Sequence, residues 1–344
     1  MNADLDTFKR MPKADLHVHI DGAVRTATLL DLARDQGVRL PAQDERALAS
    51  HVTAGPGCRS LADFLKTFDV FYPLLRNREA VERIAYELVL DEAADGVTYV
   101  EARFAPALQA SEGFPVLAVV RAALRGLEAG ASAAGIDAGL ILSCYRSASP
   151  ATSFQTVEAA LECRDEGIVG IDLAGDELHF PALPHHEPLL EAKKAGLPLT
   201  IHAGEVGPVK NLQEAVFLFG ASRLGHAVRL FEDPELMAHV AEEGIAVEAC
   251  LTSNLLTGAV AALEDYPLRA YLDAGIPVIL NTDDPAVCRT ALSREFSLAS
   301  RVFDLDDDEI RAVAGNAFAC SFQPEGVRAR LLEDAERWFD GQDR

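Results

Sequence analysis

Short β-rich runs of apolar residues alternate along this chain with longer segments whose apolar positions recur at helical spacing. The β-rich runs are Asp15–Ile20, Val97–Arg103, Ile136–Cys144, Ile168–Leu173, Leu199–His202, Arg223–His226, Ile245–Cys250 and Pro277–Thr282. Several begin just after a glycine-containing turn, at Asp95-Gly96, Glu166-Gly167, Gly196, Gly244 and Gly275. Glycine suits the residue that ends a helix, where φ is positive and a Cβ costs energy. In the intervening segments Val81, Ile84, Ala85 and Leu88 keep helical spacing. So do Val157, Ala160 and Leu161, in a segment opened by Thr152 or Ser153. Asp233-Pro234-Glu235 reads as an N-cap, a proline at the first helical position and an acid near the positive helix end.

Eight strand-then-helix repeats predict a closed parallel barrel more than an open sheet. After residue 290, the segments Glu295–Phe303, Asp307–Phe318 and Glu325–Phe339 predict helices that complete the outer ring. No linker divides the chain, so the expected class is α/β, a single (β/α)8 TIM-type barrel domain over residues 1–344 with extra helices. Leu61, Phe64, Leu65 and Phe68 fall at i, i+3, i+4 and i+7, one face of a helix after the first strand. That pattern by itself is core packing.

Composition narrows the partners. Hydrophobic residues make up 49% and charged residues 25%, the mixture of a folded globular protein. The formal net charge is -23, from 54 acidic and 31 basic side chains. Such a surface repels phosphate backbones and anionic lipid, so neither nucleic acid nor membrane is expected as a partner. The apolar-rich stretch from Phe114 to Cys144 is interrupted by Arg121, Arg125, Glu128 and Asp137, too soon to span a bilayer. The N-terminus lacks the basic-then-apolar order of a secretory signal. Six cysteines are scattered without a C-x-x-C pair, which points to a reducing cytoplasm.

Catalytic groups in such barrels sit at the C-terminal ends of strands. Polar residues stand at four of those ends: His17-Val18-His19, His202-Ala203-Gly204-Glu205, Gly225-His226 and Asn281-Thr282-Asp283-Asp284. His17 and His19 are two apart on a strand and so point to one side. Two converging imidazoles suit a divalent metal of borderline softness, and equally a hydrogen-bonded pair of core histidines. With His202 and Asp283 added, the set resembles a mononuclear His/His/His/Asp site with a position open for water. The fourth strand, Ile-Val-Gly-Ile-Asp-Leu, has no lysine of the kind that bridges two metals in many amidohydrolases. The H-x-E and P-C-x-x-C pair of the cytidine-deaminase fold is absent as well.

Seven motifs then carry a resemblance. They are ADLHVHIDGA at 14–23, YVEARFAP at 99–106, IDLAGDE at 171–177, HAGE at 202–205, GHA at 225–227, LTSN with LTG at 251–258, and NTDDP at 281–285. In this order they resemble the adenosine deaminase family of the amidohydrolase superfamily. The resemblance implies one Zn²⁺ per chain on His17, His19, His202 and Asp283. It implies that Glu205 donates a proton to N1 of the purine, while His226 orients the attacking hydroxide without ligating the metal. Asp284 would bond the purine N7, the Gly175 backbone N–H would meet N3, and Asp21 would accept from the ribose 5′-hydroxyl. As a plain turn residue before Gly22, Asp21 has an alternative reading. Leu61, Phe64, Leu65 and Phe68 would form an apolar lid. Leu251 stands where many members of the family carry proline.

The expected function is hydrolytic deamination of adenosine, and of 2′-deoxyadenosine, to the inosine form with release of ammonia. The expected partner is a small-molecule purine nucleoside, and the number of subunits is left open. Alternatives in the same class are free adenine and 6-aminodeoxyfutalosine. The latter's carboxylate would need a cation such as Arg103 or Arg146, unless these pair with neighbouring acids. A silent nucleoside-binding barrel is the alternative of another class. His185 and His186 are expected on the surface, and His51, His179 and His239 to be structural.

Overall fold

The computed structural model describes residues 5–341 apart from Pro56. Met1–Asp4, the start of the stretch read above for a leader, lies outside the described residues. The strands are β1 Lys13–His19, β2 Val97–Phe104, β3 Asp137–Tyr145, β4 Ile168–Ala174, β5 Thr200–Ala203, β6 Arg223–His226, β7 Ala246–Ala249 and β8 Val278–Leu280. They pair in parallel as β1-β2-β3-β4 and β5-β6-β7-β8. Single bridges join the two sheets, Ile171 to Leu199 at one seam and Val18 to Asp283 at the other. At the second seam His19 N donates to Asp283 O at 2.7 Å and Asp283 N to His17 O at 2.8 Å. The eight strands thus follow one another around a (β/α)8 barrel, as expected.

The eighth strand is shorter than its apolar run. Asp283 takes φ 62°, a left-handed conformation that ends the extended backbone and brings it back to β1. Asp283 and Asp284 therefore do not lie on a continuing strand, and strand alternation does not set their directions.

The late helices run Leu292–Val302, Asp307–Ala319 and Glu325–Phe339, close to expectation. Asp233 caps its helix, accepting from Leu236 N at 3.0 Å. The helix expected to open at Thr152 or Ser153 starts earlier, at Pro150, with Ser149 as its cap. Ser60 caps the helix Leu61–Lys66, which then tightens into a 3₁₀ turn over Thr67–Val70. Leu61, Phe64 and Leu65 are on the first piece and Phe68 on the second.

The barrel floor departs from the expectation of branched apolar side chains. Glu101, Arg103, Arg223 and Glu248 are all buried there. Arg223 pairs with Glu101 and with Glu248, each at 2.6 Å, and Arg103 with Glu248 at 3.1 Å. Opposite charges make this burial tolerable, and its value lies more in holding direction than in net stability. All six cysteines are free. Among the described residues, no helix is long and apolar enough to cross a membrane.

Candidate active site

His17 and His19 from β1, His202 from β5, His226 from β6 and Asp283 past β8 meet at the C-terminal end of the barrel. Two of the rings are pinned from behind by carboxylates. His17 Nδ1 lies 2.7 Å from Glu248 Oε2, and His202 Nδ1 lies 3.0 Å from Asp172 Oδ1. A carboxylate on Nδ1 puts the proton there and leaves a lone pair on Nε2. His17 Nε2 is buried and has no hydrogen-bond partner; Asp283 Oδ1 is 3.2 Å from it. His202 Nε2 faces His19 Nε2 at 3.3 Å, and His19 Nε2 is 3.3 Å from Asp283 Oδ1. Ser253 Oγ donates to the other Asp283 oxygen at 2.6 Å.

The lone pair of His17 Nε2 and the Asp283 carboxylate, facing one another this closely, repel unless a cation lies between them. Burial lowers His17, and it pushes His202 down to about 3, so both rings stay neutral. At His19 the carboxylates of Asp283, Asp284 and Asp21 outweigh burial and pull the ring up to about 9. The site therefore draws positive charge. Three nitrogens and one carboxylate oxygen suit a zinc-like ion.

Donor atoms of His17, His202, His226 and Asp283 also lie within 4.8 Å of one another, so distance alone admits His226 as a ligand. Its hydrogen bonds argue otherwise. Asn254 Nδ2 lies 3.0 Å from His226 Nδ1, and the same nitrogen faces Glu205 Oε1 at 3.4 Å. An acid on that side fixes the amide as the donor. His226 Nδ1 accepts, Nε2 carries the proton, and that N–H points toward Glu205 at 4.0 Å. The backbone here is left-handed, with φ 61° at His226 and 51° at Ala227. Tyr266 and Tyr271 hold it by donating to the carbonyls of His226 and Ala227 at 2.8 and 2.7 Å.

Glu205 is buried and accepts from Thr257 Oγ1 at 2.8 Å. Burial raises its pKa, so its carboxyl holds a proton more readily than an exposed glutamate. Asp284 is raised further, by burial and by Asp283 beside it, and its Oδ1 has no partner. Asp21 is buried as well and accepts from Gln109 Nε2 at 3.1 Å. Gly175 lines the cleft with φ 105°, and a Cβ there would sit 2.9 Å from the ring of Tyr145. Only glycine lets the backbone approach that closely.

These groups surround one cleft. Its wall includes His19, Asp21, Gly175, Glu205, Asp283 and Asp284, and its apolar roof is Leu61, Phe64, Leu65 and Phe68. Among the described residues, no lysine or arginine lines it. Arg103 is fully buried in the floor against Glu248. Arg146 donates to the carbonyl of His202 at 2.7 Å. Neither lines the cleft. His185 is also unlike expectation: it is buried, between Ser153 Oγ at 2.7 Å and the Arg146 carbonyl at 3.0 Å. The surrounding prolines looked like a surface loop, but a short helical turn folds this ring inward.

Several participants had no role assigned from sequence. Ser253, Asn254 and Thr257 belong to the quoted LTSN–LTG stretch, on a helix Leu251–Leu256 and its end. Leu251 starts that helix and is buried, so proline is not needed there. Glu248, a charge inside an apolar strand, was a signal left unread. Tyr72 and Tyr145 line the cleft without any motif to mark them.

A family model described as adenosine deaminase matches residues 12–338. The chain belongs to the adenosine deaminase family. An adenosine deaminase of Enterococcus faecalis is 38% identical over 91% of this chain and 93% of its own length. Among solved structures, an adenine deaminase from Arthrobacter aurescens superposes with TM-score 0.89 at 26% identity, covering 96% of this chain and 99% of that one. The N6-methyl-AMP deaminase of Arabidopsis thaliana gives 0.85 at 32%, covering 99% of each. An amidohydrolase from Burkhoderia ambifaria, solved with bound Zn, gives 0.88 at 26%, covering 98% and 93%. These solved neighbours share the fold, and two of them are named for different molecules, adenine and N6-methyl-AMP.

Proposed function

We propose that this chain is a zinc-dependent enzyme that hydrolyses adenosine, and 2′-deoxyadenosine, to the inosine form and ammonia. The observation that carries the reading is the orphaned Nε2 of His17, facing Asp283, His19 and His202 at the edge of a cleft that also holds Glu205. In this reading His17, His19, His202 and Asp283 hold one Zn²⁺. Bound there, the metal makes water nucleophilic near neutral pH by lowering its pKa toward ~7.

The protein's own groups do the rest. Glu205, buried and slow to give up its proton, donates to N1 and makes C6 electrophilic. His226 presents an N–H that steadies charge as attack proceeds. Asp284 stays protonated and donates to N7, and the Gly175 N–H meets N3. Asp21 accepts from the 5′-hydroxyl. Leu61, Phe64, Leu65 and Phe68 cover the base and exclude water. Every group the chemistry needs is present and convergent, which disfavours a silent barrel. We read residues 1–344 as one domain in a cytoplasmic setting, the latter on the free cysteines.

The choice of substrate rests on the cleft's charge. A 5′-phosphate or the carboxylate of 6-aminodeoxyfutalosine needs a cation, and the lining provides acids. An uncharged nucleoside meets that demand, and Asp21 gives it an advantage over free adenine. A hydrogen bond to a charged group contributes ~1.5–3 kcal/mol, about one to two decades in kcat/KM. The test compares kcat/KM for adenosine, 5′-deoxyadenosine, adenine, AMP and 6-aminodeoxyfutalosine. Adenosine should lead adenine by that margin. Any other member of the panel as best substrate sinks the assignment.

A further inference from the structure

Glu205 sits on a loop, not on an element of regular structure. Between β5 and the short helix Val209–Gln213, the chain runs Gly204-Glu205-Val206-Gly207-Pro208. A catalytic group on a loop is placed only as accurately as its backbone is held. The holding group here is the carboxylate of Glu177, buried and outside the cleft lining. Glu177 Oε2 accepts from Gly204 N at 2.9 Å. Its Oε1 accepts from Val206 N at 2.9 Å and Gly207 N at 2.8 Å. Asn211 Nδ2 donates to Oε2 at 2.9 Å. The bonded amides stand on both sides of Glu205.

The fit is close. A Cβ on Gly207 would lie 2.7 Å from Glu177 Cδ and 2.5 Å from Asn211 Nδ2, so the carboxylate reaches these amides only past glycine. A carboxylate with three charge-assisted bonds to one loop and a fourth to the helix that follows it holds far more than a surface acid needs. Glu177 follows β4, so the loops after two neighbouring strands are locked together by one side chain. Glu177 is the last residue of the IDLAGDE motif.

We propose that Glu177 is a positioning residue whose carboxylate sets the height and direction of Glu205 over the substrate base. The proposal rests on the reading of Glu205 as the proton donor to N1. It predicts that loosening the clasp removes proton donation and leaves the rest of the cleft working. The glutamine variant keeps size but turns an amide N–H toward backbone N–H groups, breaking part of the clasp.

The experiment is a double-mutant cycle on the zinc-loaded, full-length enzyme: Glu177→Gln, Glu205→Gln and the pair. Glu205→Gln alone should lower kcat by roughly 10²–10⁴-fold. Glu177→Gln should lower kcat by roughly 10–100-fold, with zinc content unchanged. The inhibition constant of 1-deazaadenosine, which has no N1, should stay within about twofold. In the Glu205→Gln background, the Glu177 change should cost less than about threefold, because groups acting as a unit are non-additive. Equal losses in both backgrounds, or 1-deazaadenosine affinity falling in step with kcat, would make Glu177 a general support of the fold and overturn the proposal. Unchanged kcat in Glu177→Gln would overturn it directly. Near-normal kcat in Glu205→Gln would instead remove the underlying reading of Glu205. If Glu177→Gln does not fold, Asn211→Ala takes its place in the same cycle, with a smaller loss expected in the same direction.

Discussion

Lys13 and His17 lie near opposite ends of β1, both fully buried, and their surroundings differ in kind. Lys13 Nζ donates to Phe8 O at 2.9 Å, to Met11 O at 3.4 Å and to the Asp95 carbonyl, with an Asp95 carboxylate oxygen at 3.9 Å. Each of its protons has an acceptor supplied by the fold. His17 is held on one nitrogen by Glu248 and has no partner on the other. A buried polar atom without a partner calls for an explanation, whereas a satisfied one is explained by the structure itself. Lys13 closes the N-terminal end of the barrel. His17 presents a lone pair that no other group among the described residues meets. Burial and polarity, which the two share, do not tell these two ends of the strand apart; the unmet bond at His17, beside the carboxylate of Asp283, does.

The comparison can be broken most sharply at His17. His17→Ala should take the zinc content from near one equivalent to near none. A bound metal would shift the pKa of water by roughly nine units, so activity should fall to assay background. Elemental analysis and a deamination assay on the same preparation check both. Retained zinc with full activity would mean that the unmet bond had been misread.

A middle-sized effect is expected at Glu248, which orients His17 from behind. Glu248→Gln should weaken zinc affinity by about 10–100-fold, measured by competition with a chelator on folded protein. Thermal stability should drop too, because Arg103 and Arg223 lose their shared carboxylate. Unaltered zinc affinity alongside lowered stability would confine Glu248 to the floor and detach it from the site.

The smallest effect on activity belongs to Lys13. Lys13→Met should leave kcat and zinc content unchanged and cost ~1–3 kcal/mol of stability, from carbonyls left without donors. Burial, opposed chiefly by Asp95, pushes Lys13 from 10.5 down to about 8. Between those values the unfolded chain binds more protons at this residue than the folded one. Its share of stability therefore rises as pH goes from about 8 to 10.5, and that rise should be missing in Lys13→Met. Denaturant titrations at pH 7.5, 9 and 10.5 read it. A loss of catalysis in this variant would erase the distinction drawn between the two ends of the strand.

Much of this architecture was legible in the chain. Glycine turns punctuate the strands, so their starts and order follow from local backbone preference alone. The four strand ends carrying histidine and aspartate were legible for the same reason: a barrel interior is expected to be apolar, and these residues break the expectation. Phe68 shares a helical face with Leu61 in the sequence pattern, and it lines the roof although it stands on a 3₁₀ turn. The chain is silent on which partners meet polar groups that are distant in sequence. Arg103 meets Glu248, 145 positions away, and His185 meets Ser153, 32 positions away. Neither periodicity nor a motif reports such a meeting.

What the sequence by itself determined, then, is which residues are extended, which are helical, and which chemical groups stand at the strand ends. Those properties depend on φ/ψ preference and on neighbours a few positions apart. Tertiary structure alone decided which imidazole nitrogen keeps a proton, which arginine is spent on the barrel floor, and which carboxylate steadies the Glu205 loop. A histidine's tautomer is set by the acid behind it, and a buried charge by the opposite charge it faces. Both come from other strands, and they arrive only when the barrel closes through Val18 and Asp283.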